Sequence, residues 1–180
     1  MIEDFPTILE IPKKLFRIDG NCGPVSAWAA LQYFKKRVSQ NRIISACHYT
    51  EKHGVFTIWL AVALHEFGLA VRFLSDPDRN PKDIEKIGYR VAQKYGIKVE
   101  PAIQPNELLK TIDRETIAIV FYNTDLDQGH FSPLIGTRNG KLVLPYSEKG
   151  MMSKVEFVKR SSASDILRQC VLVSRKSATP

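Results

Sequence analysis

Hydrophobic spacing changes character along this chain, and that change constrains the fold more than any other feature. In the first part, apolar residues mostly recur at the three-to-four interval of helices; from Thr116 onward they come in short alternating runs. Val25, Trp28, Leu31 and Phe34, with Ala27, Ala29 and Ala30 between them, describe a helix enclosed by protein. It starts near Gly23-Pro24, where proline is tolerated because a first-turn N–H has no helical partner. Gly54 precedes a second apolar helix, about Val55 to Phe67, closed by Gly68. Thr7 to Ile11 reads as extended and Leu69 to Leu74 as a strand, followed by helices from about Pro81 to Tyr95 and from Asn106 to Ile112. Thr116 to Tyr122, His130 to Gly136, Lys141 to Leu144, Val155 to Val158 and Cys170 to Ser174 all read as strands. Arg138-Asn139-Gly140 joins two of them as a hairpin turn, because asparagine and glycine accept positive φ. Helices first and an antiparallel sheet afterwards give an α+β domain.

The chain's 180 residues, 44% of them hydrophobic, suffice for one core, and no repeat or linker divides them, so residues 1–180 are expected to form a single domain. No apolar run approaches the roughly 20 residues of a membrane-spanning helix, and Met1-Ile2-Glu3-Asp4 is acidic where an export signal is basic. A cytoplasmic location without membrane association is the expectation. The net charge of +7 comes from basic residues scattered among acids, a pattern that gives no nucleic-acid footprint. Cysteines at 22, 47 and 170 are too widely spaced for a disulfide framework and read as free thiols.

Cys22 lies at the first turn of the first apolar helix, where unpaired N–H groups and the helix dipole favour a thiolate. Its neighbours Gly20, Asn21, Gly23 and Pro24 are small or turn-forming and leave room for a carbonyl to approach. His130 opens a strand after the turn-like Asp125-Leu126-Asp127-Gln128-Gly129, which holds an imidazole at a sheet rim. A nucleophile and base from distant positions can be united by the fold.

These residues carry a resemblance. The run Asn21-Cys22-Gly23-Pro24-Val25-Ser26-Ala27-Trp28, the Gly54 turn before a helix ending Glu66-Phe67-Gly68-Leu69, and Gly129-His130-Phe131 together resemble the papain-like cysteine peptidases that process double-glycine leader peptides of bacteriocins, and their stand-alone relatives. The likeness spans roughly residues 15 to 147. It implies a papain-like fold, a helical N-terminal part packed on a C-terminal antiparallel sheet. It also implies a cofactor-free reaction in which Cys22 attacks an amide carbonyl of a peptide or isopeptide, His130 is the general base, and water resolves a thioester. The family's oxyanion glutamine, six residues before the cysteine, corresponds to Phe16, and its imidazole-orienting aspartate or asparagine to Tyr146. Tyr146 or Ser147 is the candidate partner for the ring; Asn21, Asp19 and Gly129 are candidates for the oxyanion pocket or cleft. Two other readings stay open: a thioester-using transpeptidase or acyltransferase, and a degenerate domain that binds a peptide or protein in the old cleft.

Cys47, His48, His53 and His65 lie near one another in sequence, but their spacing fits no usual zinc pattern, and no metal is expected. No glycine-rich loop follows a strand to cradle a phosphate. Trp28, Trp59 and Cys170 sit on apolar faces and read as packing residues.

Overall fold

The computed structural model describes residues 5–126 and 128–176. Met1 to Asp4, read above as no export signal, and Asp127 of the turn before His130 lie outside the described residues. In chain order the elements are α1 (Lys13–Phe16), α2 (Cys22–Tyr33), α3 (Gln40–Ala46), α4 (Thr57–Glu66), β1 (Leu69–Ser75), α5 (Asp83–Lys94), β2 (Val99–Pro101), α6 (Pro105–Thr111), β3 (Thr116–Asn123), β4 (Gly129–Leu134), β5 (Gly136–Arg138), β6 (Lys141–Val143), β7 (Met151–Met152), α7 (Lys154–Ser161) and β8 (Gln169–Arg175).

The larger sheet has the order β2-β1-β8-β3-β4 and is antiparallel except for the parallel pair β1 and β2. Helix and strand are therefore mixed along the chain, with two strands ahead of β3 and α7 behind it, where a segregated order was expected. On one face, Phe73, Ile117, Ile119, Phe131 and Val171 pack with α2 and α4 in the largest apolar cluster. On the other, Val120, Tyr122, Leu134 and Leu172 pack with Phe157 of α7 and with the small sheet β5-β6-β7. The period-two alternation of side chains along β3, β4 and β8 feeds both layers.

Helices α2 and α4 are buried almost all round, as their apolar content requires, whereas α5 shows only part of its surface to the core. The hairpin forms as expected: Arg138 pairs with Lys141, and Asn139 and Gly140 have φ of 51° and 74°.

One expectation is corrected. Val155 to Val158 belongs to α7 and not to a strand: the Ser153 hydroxyl accepts from the Glu156 N–H at 3.1 Å, capping a helix that turns Phe157 and Ser161 inward and leaves Val155 81% exposed. Thr7 to Ile11 joins no sheet; its Leu9 is buried and donates its N–H to the Pro145 carbonyl at 3.3 Å.

Candidate active site

Cys22 is the first residue of α2, half-buried, at the end of the helix that faces edge strand β4. Gly23 allows a second close approach, to the segment before α4. A Cβ there would stand 2.7 Å from Cβ of Val55, well inside the 3.5–4.0 Å of an ordinary carbon contact, so the first turn of α2 lies flush against the segment leading into α4.

Burial pushes the Cys22 thiol up, and backbone hydrogen bonding from Phe131, Gly23 and Cys22 itself pulls the other way. Phe131 directly follows His130 in β4 and lines the same cleft as Cys22.

His130 is half-buried, paired in register with Tyr122, whose ring meets it edge-on at 5.6 Å. Its Nε2 lies 2.6 Å from the carbonyl oxygen of Tyr146. A carbonyl can only accept, so Nε2 carries the proton and Nδ1 keeps its lone pair. Burial pushes the imidazole down; the Tyr146 carbonyl and then the charge of Glu148 oppose it. With the thiol raised above 9.0 and the imidazole lowered below 6.5, both groups are neutral near pH 7.

Tyr146 reaches both halves of this arrangement. Its hydroxyl donates to Asn21 Oδ1 at 2.5 Å, one residue before Cys22, while its carbonyl receives the imidazole proton. Its own N–H donates to the hydroxyl of fully buried Ser132 at 3.2 Å, which ties the Tyr146 main chain to the strand that bears His130. Ser147, the other expected ring partner, donates its hydroxyl to the Leu144 carbonyl at 2.9 Å.

The remaining sequence candidates fall as follows. Asn21 directs its amide N–H groups at the carbonyls of Leu15 and Phe16, at 3.1 and 3.3 Å, and so closes the end of α1. Asp19 is exposed, and its carbonyl accepts from the Tyr49 hydroxyl at 2.6 Å. Gly129 starts β4 and lines the same cleft as Cys22. Phe16 is 68% exposed and lines a separate surface hollow with Leu9, Ile11 and Lys13.

Cys22 and His130 open onto different spaces. Cys22 lines a cleft of about 600 Å³ with Gly20, Gly54, Val55, Phe56 and Phe131 on its walls. His130 lines a cavity of about 270 Å³ together with Tyr122, Tyr146, Glu148, Met152 and Arg160. Arg160 is held there by Asp125 at 2.5 Å and Glu156 at 2.6 Å.

The four residues weighed for zinc go to separate surroundings: Cys47 is in the core, His48 stacks on Trp59 at 3.6 Å, His53 borders the cleft, and His65 stacks on Tyr95 at 5.3 Å. Among the described residues no group of three or more histidine, cysteine and carboxylate side chains is placed to hold a metal ion, and no helix is long and apolar enough to cross a membrane.

Three contributors went unread in the sequence. Ser132 had a signal, since it shares the inward face with His130 at strand spacing two. Glu148 lies two residues past the expected orienting position. The backbone amide of Phe131 has no residue-type signature.

No protein-family model matches the chain, and no curated protein matches it in sequence. Among solved structures it is similar to a double glycine motif protease from an AMS/PCAT transporter, crystallised in complex with the leader peptide. The superposition has a TM-score of 0.57 at 16% identity and covers 86% of this chain and 84% of that one. At that identity the likeness is one of fold, a mixed arrangement of helices around a five-stranded sheet.

Proposed function

We propose that this chain is a cysteine peptidase, with Cys22 as nucleophile and His130 as general base. The observation that carries the reading is the bridge made by Tyr146, whose hydroxyl donates to Asn21 beside Cys22 while its carbonyl accepts from the imidazole; Phe131, next to His130, lines the same cleft as Cys22. The fold shared with a leader-peptide protease supports a peptide as the substrate.

The chemistry follows from the resting charges. A neutral imidazole with a free Nδ1 lone pair takes the thiol proton as sulfur attacks the amide carbon; the carbon–sulfur bond forms and the carbonyl becomes an oxyanion. The Cys22 backbone N–H, in a first helical turn without a helical partner, donates to that oxyanion. The imidazolium then protonates the leaving nitrogen and the carbon–nitrogen bond breaks; water attacks the thioester with the same imidazole as base, the carbon–sulfur bond breaks, and the imidazolium returns its proton to the Cys22 sulfur. Because the imidazole must reach the leaving nitrogen, the cavity beside His130 suits the amine side of the substrate, and the cleft beside Cys22 suits the acyl side. Tyr146 acts as a positioning residue through its carbonyl, which stands where an orienting aspartate or asparagine was expected. Glu148 supplies the negative charge that stabilises the imidazolium.

A second reading, a peptide-binding domain without turnover, is favoured by one observation. Phe16 stands at the expected glutamine position, and Asn21 spends its amide donors on Leu15 and Phe16, so neither offers a second oxyanion donor.

The test is a peptide-library digestion with Cys22→Ala and His130→Ala controls. Cleavage lost in both variants is the expected result; cleavage that survives Cys22→Ala refutes the assignment. Thiol labelling needs a comparison beyond the other cysteines, because Cys47 and Cys170 are buried and react slowly whatever the state of Cys22. The informative quantity is the change in Cys22 labelling on His130→Ala.

A further inference from the structure

The cleft beside Cys22 combines apolar walls with an acidic patch. Val55, Phe56, Phe121, Ile166 and Leu167 supply the apolar surface, and Glu85 and Asp165 are its carboxylates. Although the chain carries seven net positive charges, no lysine or arginine lines this cleft.

Asp165 is exposed but not free to wander. Both of its carboxylate oxygens accept from Asn123 Nδ2, at 3.0 and 2.8 Å, and Asn123 is the last residue of β3, only 5% exposed. Committing the amide nitrogen this way leaves Asn123 Oδ1 buried with no partner among the described residues. An orphaned buried acceptor is a standing cost to the fold, and native structures keep such atoms where something else requires them. The other polar side chains nearby are satisfied: Gln169 accepts from the Thr57 hydroxyl at 2.6 Å and donates to the Ser75 hydroxyl at 3.0 Å. The cleft therefore presents a carboxylate fixed by a rigid strand, with an unsatisfied amide oxygen buried behind it and no lysine or arginine among its described lining residues.

We propose that Asp165, held in place by Asn123, is a subsite for a basic side chain, lysine or arginine, on the acyl side of a bound peptide, with the aliphatic stem lying on the apolar walls. Long cationic side chains suit such a place because the stem buries against hydrocarbon while the head meets the carboxylate. The reading of the cleft as the acyl side rests on the peptidase proposal; the existence of the cation site does not.

The test measures binding and turnover separately. Dye-labelled octapeptides of glycine, alanine and leucine, with one lysine moved through successive positions, are titrated by fluorescence anisotropy against the Cys22→Ala protein beside norleucine counterparts. At one position lysine should bind at least about fivefold more tightly than norleucine, an advantage that high salt reduces, as expected for a partly exposed ion pair. Asp165→Asn keeps an oxygen for Asn123 but removes the charge, and should bring the ratio below about twofold; Asp165→Lys should make glutamate the preferred residue. A ratio within about twofold at every position overturns the proposal, as does no measurable binding, or a ratio unaltered by Asp165→Asn in a protein that melts like the parent. Peptide cleavage by the native chain without a lysine preference would retire the cation site and leave the peptidase reading standing. A lysine preference in Cys22→Ala, with no cleavage by the native chain, would do the reverse.

Discussion

Ser132→Ala is the most informative single perturbation, because it acts on the imidazole without touching it. Ser132 is fully buried, and its hydroxyl is the acceptor for the Tyr146 N–H at 3.2 Å. Removing it leaves that N–H without a partner, which costs about 1–3 kcal/mol when water cannot enter. In a domain of this length each kcal/mol lowers Tm by roughly 2–4 °C, so a fall of about 2–12 °C is expected. The diagnostic readout is the ring. If the Tyr146 main chain shifts once this anchor is lost, Nε2 loses the carbonyl that favours the charged ring, so the titration midpoint of His130 falls further and the share of the Nε2–H tautomer drops. Tyr146→Phe is the control: it deletes only the hydroxyl bonded to Asn21, costs about 0.5–1.5 kcal/mol, and leaves the tautomer in place. Isotope-edited histidine NMR of both variants reads tautomer and midpoint without needing a substrate. A tautomer shift in Tyr146→Phe equal to that in Ser132→Ala would refute the assignment of orientation to the backbone carbonyl.

Other expectations follow from the same geometry. Glu148→Gln removes the charge that opposes burial at His130, so the midpoint falls further, and the difference from the parent shrinks in high salt; NMR titration at two ionic strengths checks both. Gly23→Ala places a carbon 2.7 Å from Val55 Cβ and should cost about 1–3 kcal/mol by denaturant melt, with the added Val55→Gly recovering much of the loss; no loss in the single variant would show that α2 is not held there. Burial lowers His48, His65 and His130 below 6.5, so the unfolded chain takes up protons first as pH falls: their contribution is complete above about 6.5 and is lost below it. Denaturant midpoints measured at about pH 7.5 and about pH 5.5 should therefore differ, the lower pH being the less stable, and equal midpoints would contradict the desolvation of His130, the most enclosed of the three rings.

The elements that the sequence announced are those whose burial depends on side-chain pattern. Trp28, Leu31 and the alanines of α2, and Trp59 to Leu64 of α4, can be satisfied only inside protein, and the strands β3, β4 and β8 alternate or run apolar. The elements that escaped are short or polar. Helix α3 buries little besides Ile43 and depends on its Ser39 cap, and α1 is a single turn after Pro12. Helix α7 was misread because Val155 and Phe157 mimic a strand at spacing two, while the decisive signal, serine followed three residues later by glutamate, lay just ahead of them.

Within the site the same distinction becomes one of atoms. Cys22 and His130 could be nominated from the sequence because the chemistry proposed for them resides in side chains, and Tyr146 only as a position. What it contributes to the ring is a main-chain oxygen, and what Phe131 contributes to the sulfur is a main-chain amide; any residue can provide either. A carbonyl fixes the ring and the tautomer but brings a dipole where a carboxylate brings a full charge, so it stabilises an imidazolium less. That agrees with the direction of both titrating groups, a thiol raised and an imidazole lowered, a neutral pair at rest. In such a pair the proton moves when substrate excludes water and the attack begins, not beforehand. Slow alkylation of Cys22 in the free protein then agrees with the peptidase reading, so turnover and the change in labelling on His130→Ala, not the labelling rate of the native chain, separate it from the binding reading.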